Sequence, residues 1–164
     1  MSKAKIPAEK EQQGLLRYDG KRPDGVTLIP WRQGKALAWD VTVSDTYATS
    51  NLQLTAEKSG KAADKAAHLK MQKYSNLEET HLFSPVAIET PGSWNKQGTD
   101  VIEELGRRIS KITGDPKETS YIFQQISVAI QWGNMMSIHA SFPKHREQSF
   151  SGESSTYPTL VSTS

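Results

Sequence analysis

Arg22-Pro23-Asp24-Gly25-Val26-Thr27-Leu28-Ile29-Pro30-Trp31 runs through Arg32-Gln33-Gly34-Lys35 into Ala36-Leu37-Ala38-Trp39-Asp40-Val41-Thr42-Val43. Two β-rich runs around a short Gly-containing loop read as a hairpin. Asp24 opens the first run, and Asp40 sits inside the second, between Trp39 and Val41. Its strand is apolar on both sides of it, so the position is expected to be buried. A buried, unpaired carboxylate costs several kcal/mol or becomes neutral. Asp40 therefore needs a cation, a metal ion or several backbone donors. Pairing Val26 with Asp40 puts Asp24 and Asp40 on one face as diagonal neighbours, about 7–8 Å apart at Cβ. Other registers separate them.

A helix is expected downstream, starting within 52–60, where Ser59-Gly60 interrupts the pattern, and ending near Glu78. Its apolar stripe is Ala63, Ala66, Ala67, Tyr74 and Leu77. The same spacing puts Lys70 in the middle of the stripe and Lys73 at its edge. Leu82-Phe83-Ser84-Pro85-Val86-Ala87-Ile88-Glu89 reads as another strand, closed by Thr90-Pro91-Gly92. Thr99-Asp100 can cap a helix with Val101, Ile102, Leu105 and Ile109 on its apolar face. Gly114-Asp115-Pro116 breaks the chain. Residues 117–138 then form a last helix, apolar around much of its circumference and expected to be well buried. Leu15-Leu16-Arg17-Tyr18 is a candidate for a further, earlier strand. The order predicts an α/β fold, a short mixed sheet flanked by helices.

A lysine in an apolar stripe calls for a nearby anion, and the hairpin acids are the candidates. Asp24, Asp40 and Lys70 form a set suited to phosphodiester hydrolysis. The acids would hold Mg²⁺ or Mn²⁺, which activates water and stabilises charge on the phosphate. Lys70 or Lys73 would position that water or neutralise the developing charge. Each residue also has a plainer reading. Arg22-Pro23-Asp24-Gly25 is a good turn sequence, Asp40 can be a solvent-facing strand acid, and Lys70 can snorkel from a half-exposed helix. Glu89 is either an added site acid or a strand-end charge. The four histidines show no metal-ligand spacing.

Arg22-Pro23-Asp24, fifteen intervening residues, Asp40-Val41-Thr42 and Lys70-Met71-Gln72-Lys73-Tyr74 together resemble the PD-(D/E)xK nuclease superfamily. In particular they resemble the restriction-like endonuclease domain of non-LTR retrotransposon proteins, with its R-PD motif, second acid and KxxKY-type helix. Gly14 to about Phe142 is also similar to a segment of reverse-transcriptase-containing reading frames in invertebrate genomes. The resemblance implies a restriction-endonuclease-like core, Asp24 and Asp40 as metal ligands, and Lys70 and Lys73 as catalytic lysines, with Tyr74 packed beneath them. It implies a DNA endonuclease that nicks target DNA, acting inside the cell, in the nucleus where functional, with a reverse transcriptase domain of the parent element as partner. Thr42 stands where the general motif has lysine, and the helix lysines match the retrotransposon arrangement. The alternative is a catalytically inactive DNA-binding or interaction remnant of the same fold. No reverse transcriptase is present in the chain, which is expected to be a fragment or a separated domain.

Composition limits the other classes. The 164 residues suit one domain, expected over residues 14–141, between a disordered arm at 1–13 and a disordered Ser/Thr-rich tail at 142–164. The net charge is +2, so a nucleic-acid surface must come from local clustering. The absence of cysteine excludes disulfides, thiolate metal sites and cysteine nucleophiles. No signal-peptide pattern or membrane-length apolar run occurs, so no membrane partner is expected.

Overall fold

The computed structural model describes residues 3–10 and 22–141. A four-stranded mixed sheet runs in the order β1 (Ala8–Lys10), β2 (Gly25–Thr27), β3 (Ala36–Ser44), β4 (His81–Glu89). The first two pairings are antiparallel, and β3 with β4 is parallel. Between β3 and β4 lie α1 (Leu52–Glu57), α2 (Lys61–Lys73) and a 3-10 turn (Ser75–Leu77). After β4 come α3 (Lys96–Thr113) and α4 (Glu118–Ser141). The expected α/β class and the short mixed sheet flanked by helices are therefore observed. No helix among the described residues is long and apolar enough to cross a membrane.

Strand alternation divides the core in two. Ala38, with Val26, packs against Tyr74 and Leu77, and Ala87 packs against Ala63 and Ala67. This is the α2 face, where alanines on both sides let helix and sheet approach closely. Leu37 and Trp39 point the other way, to Ile109, Val101 and Leu105 of α3. Val86 and Ile88 meet Ile126 and Ile130 of α4. Asp40, two residues beyond Ala38, belongs to the α2 face.

The hairpin register differs from the pairing of Val26 with Asp40. Val26 lies opposite Ala38, and Gly25 opposite Trp39. The turn itself is tight: Arg32 pairs with Lys35, and Gln33 and Gly34 take the two left-handed conformations of a type I′ turn. Carried straight back, that turn would place Thr27 opposite Asp40. Instead Leu28, Ile29 and Pro30 leave the ladder and lie exposed, so β2 stops at Thr27, short of the expected Trp31. Pro30 has no N–H to give a ladder. The Thr27 hydroxyl accepts from the Leu37 N–H at 2.9 Å, in place of a backbone partner. The excursion acts as a three-residue bulge and shifts the register by three.

Several other expectations change. The long helix divides into α1 and α2 at Ser59-Gly60, where Gly60 adopts φ 91°. The third helix begins three residues before Thr99, with Asn95 rather than Thr99-Asp100 at its N-cap position. The Asn95 side chain serves the sheet: it accepts from the Ala87 N–H at 2.8 Å and donates to the Pro85 carbonyl at 3.0 Å. Part of the segment expected as a disordered arm is built into the fold. Ala8–Lys10 forms β1, and Ala4 and Ile6 are buried beside Trp31 and Leu37, which gives the arm apolar surface to bury. Leu15 to Tyr18 and residues 142–164 fall outside the described residues.

α4 is the largest departure. Expected as buried, it buries only Glu118 and Ile130, while Val128 and Trp132 are 69% and 64% exposed. The physical reason is one-sided support: α3 and the sheet meet one stripe of α4, and nothing among the described residues covers the opposite stripe.

Asn95 offers a test of how the β4–α3 junction is held. Asn95→Ala leaves the buried Ala87 N–H and Pro85 carbonyl without their side-chain partner. The expected cost is about 1–3 kcal/mol for each group so exposed, read as a lowered midpoint in denaturant unfolding. An unchanged midpoint would show that the junction does not depend on this side chain.

Candidate functional site

Continuing the β2–β3 register by one pair sets Asp24 directly opposite Asp40, closer than the diagonal expected from sequence. Directly opposed residues have Cβ atoms about 4.5–5.5 Å apart and share a face. Asp24 lies just outside the ladder and is exposed; its Oδ2 accepts from the Val41 N–H at 2.6 Å. That bond fixes Asp24 to the strand that carries Asp40. Gly25 makes the approach possible, because the Trp39 indole lies over it and a Cβ there would overlap the ring.

Asp40 is 3% exposed, as its apolar strand predicts. Two groups of the α2 segment meet it. The Lys70 ammonium forms an ion pair with Oδ2. The Tyr74 hydroxyl lies 3.2 Å from Oδ1 and 2.6 Å from the Arg22 carbonyl, so its one proton is shared, with the carbonyl the closer acceptor. Apart from the Lys70 ammonium, no donor among the described residues reaches Oδ2. Lys70 itself is about one-quarter exposed, so its ammonium stands between the buried carboxylate and solvent.

Tyr74 is fully buried. Its pKa is pushed up to about 12, first by burial, then by the charge and hydrogen bond of Asp40, with a smaller contribution from Asp24 and opposition from Lys70. The phenol is thus held neutral, as a donor, over the ordinary pH range.

Asp40 and Lys70 thus meet directly, while Asp24 is bound to the same strand through the Val41 N–H. Lys73 does not join the acids: it is exposed, and its ammonium sits 4.7 Å from the Tyr74 ring centroid, a cation–π contact at the edge of the site. Tyr74 does more than pack beneath the lysines, since its hydroxyl ties Arg22 of the Pro-Asp turn to Asp40. The sequence signal for this was its place on the helical stripe, four residues beyond Lys70.

Glu89 lies apart from this group. It sits four residues beyond Pro85, the residue opposite Asp40, or about 13 Å along the strand. It is 1% exposed and accepts from the Ala62 and Ala63 N–H groups at 2.8 and 3.4 Å. An acid there satisfies the free N–H groups at the start of α2. Of the two sequence readings, the strand-end charge describes it, with a structural task at the helix terminus.

The donor set for a divalent ion is two carboxylates. No group of three or more Asp, Glu or His side chains converges among the described residues. One or two carboxylates, completed by water and substrate phosphate, is a set that Mg²⁺ accepts. Asp40 Oδ2 is buried and met only by the Lys70 ammonium among the described residues, so a divalent ion at that oxygen would take the place of that ammonium. The residues present fit such an ion.

Comparison of the chain with protein-family models, with curated proteins and with solved structures gives no match.

Two measurements probe the site's coupling. Tyr74 has a folded pKa above the unfolded value of 10, so its contribution to stability is complete below about pH 10 and lost as pH rises through about 12. Tyr74→Phe should flatten the fall in stability across that window. A spectrophotometric titration should show that the phenol ionising at the highest pH is absent from the variant. Lys70→Met leaves a buried carboxylate without its cation, at a cost of about 3–5 kcal/mol. Adding Asp40→Asn should recover part of that cost, because the charge it strands is then gone. Additive losses in the double variant would mean that the two side chains are not coupled.

Proposed function

We propose that the chain is a metal-dependent DNA endonuclease whose site is Asp24, Asp40, Lys70 and Lys73. The observation that carries the reading is the buried Asp40 carboxylate, faced by Asp24 across the hairpin and by Lys70 from α2. A buried acid, a second acid beside it and a lysine at the solvent side are the parts that hydrolysis of a phosphodiester requires. Their order along the chain, on the strand–strand–helix succession of β2, β3 and α2, supports the restriction-endonuclease-like reading of the fold.

Asp24 and Asp40 would hold Mg²⁺ or Mn²⁺, which lowers the pKa of bound water and stabilises charge on the phosphate. Lys70 moves from the Asp40 carboxylate to the phosphate oxygens or the attacking water as negative charge builds there. Tyr74, held neutral, keeps Asp40 and the Arg22 turn in place by donation. Lys73, exposed and beside Tyr74, would meet a backbone phosphate of the DNA. The resemblance adds the biological setting to this proposal: nicking of target DNA in company with a reverse transcriptase, inside the cell and in the nucleus where functional.

One observation favours the second reading, a catalytically inactive DNA-binding or interaction remnant. Lys70 and Tyr74 already satisfy Asp40, so the same contacts can serve as a structural ion pair.

Supercoiled plasmid and Mn²⁺ separate the two. The nuclease reading expects nicking that EDTA abolishes and that Asp40→Asn and Lys70→Ala each reduce by at least about 100-fold, with both variants shown to be folded by circular dichroism. Calorimetric titration of Mn²⁺ should lose its heat in Asp40→Asn. A folded wild-type chain that neither nicks nor binds Mn²⁺, yet retains DNA equally in EDTA, would sink the nuclease and leave the binding module.

A further inference from the structure

We propose that α4 is a self-association helix, and that its exposed stripe pairs with α4 of a second copy of this chain. Tyr121, Val128 and Met135 recur at seven-residue intervals, and Trp132 lies between the last two on the same side. Tyr121 is exposed, and Val128, Trp132, Met135 and Met136 are each about half exposed or more. On the opposite side Ile126 and Ile130 meet the sheet. A seven-residue apolar recurrence keeps one side of a helix in register with a partner helix along its length. The stripe is therefore shaped for another helix rather than for a strand or a flat surface.

Charge selects which helix. From Thr119 to Ile138 the helix contains no Asp, Glu, Lys, Arg or His. A nucleic acid would need Lys or Arg to meet its phosphates. A helix lying on a lipid surface carries those residues on its polar side, and here that side holds Gln, Ser and Asn. A partner bearing charges in its seam would bury them without counter-charges. The surface that fits is apolar and uncharged, and α4 itself is one. In a two-fold pairing each stripe meets its own copy, so no charge is buried. With the two-fold axis perpendicular to α4, the two helices run antiparallel and their dipoles oppose each other. This inference rests on the packing of α4 and is independent of the activity proposed for Asp40 and Lys70.

Sedimentation velocity of the full chain at rising micromolar concentrations tests it. The expected result is a species of twice the chain mass that persists in high salt, because the seam contains no ion pairs. Val128→Glu and Val128→Lys should each sediment at half that mass, and mixing the two should restore the double mass. Val128 is exposed in the single chain, so neither variant loses core packing. Ser120→Glu, off the stripe, should remain double. A wild-type chain that stays at single mass throughout would overturn the proposal. So would a Val128→Glu variant that still sediments at double mass, or a single-mass chain that co-sediments with phosphatidylcholine vesicles, which would assign the stripe to lipid.

Discussion

A carboxylate sealed between a sheet and a helix is the constraint around which the chain is arranged. Asp40 lies on the inner face of the central strand, at 3% exposure, where an ionised acid without partners would oppose folding by several kcal/mol. Lys70 and Tyr74 make the position tolerable, and both come from the same stretch of α2 and its C-cap. Where α2 begins therefore matters to the site. Gly60 in a left-handed conformation starts the helix, and Glu89 fixes that start by accepting from Ala62 and Ala63. From there, helical spacing brings Lys70 to Asp40. The alanines on α2 and β4 then let the helix lie close enough for the lysine and tyrosine to reach.

The second acid depends on a parity. A strand shows alternate faces, so a register shift of an odd number of residues moves every side chain to the other side. The tight turn at Gln33-Gly34, continued as a regular hairpin, would set Asp24 across from Val43, whose side chain points away from α2. The excursion of Leu28, Ile29 and Pro30 removes three residues from the ladder and reverses that parity. Asp24 consequently arrives opposite Asp40, on the face that α2 covers. A bulge that looks like a loss of strand is what brings the two carboxylates together.

The two layers around the sheet are packed differently, and the difference bears on what each can do. The α2 layer is dense and small-residue, suited to holding a charged cluster in fixed geometry. The layer formed by α3 and α4 is built from large side chains, and α4 projects an uncovered apolar stripe away from the body. The proposed chemistry and the proposed association thus fall on opposite sides of one sheet, and neither needs the surface of the other.

Local chemistry determined much of this. The alternating runs marked the main strands, Gly114-Asp115-Pro116 marked the break between the last two helices, and the apolar neighbours of Asp40 announced its burial. A lysine in the middle of an apolar helical stripe announced that an anion would be near. These features follow from periodicity and burial, which depend on a few adjacent residues. Tertiary structure alone decided the rest. The bulge sets how the strands slide past each other, and nothing in the turn sequence reveals a three-residue shift further back. Lys73, at the edge of the stripe, met the Tyr74 ring instead of the acids, a contact that helical spacing alone did not specify. Glu89 and Asn95 found their tasks, at the start of α2 and along β4, only when distant backbone groups came within hydrogen-bond reach. α4 carried the apolar composition of a core helix, but burial is a property of what surrounds a helix, and on its outer side the described chain places nothing.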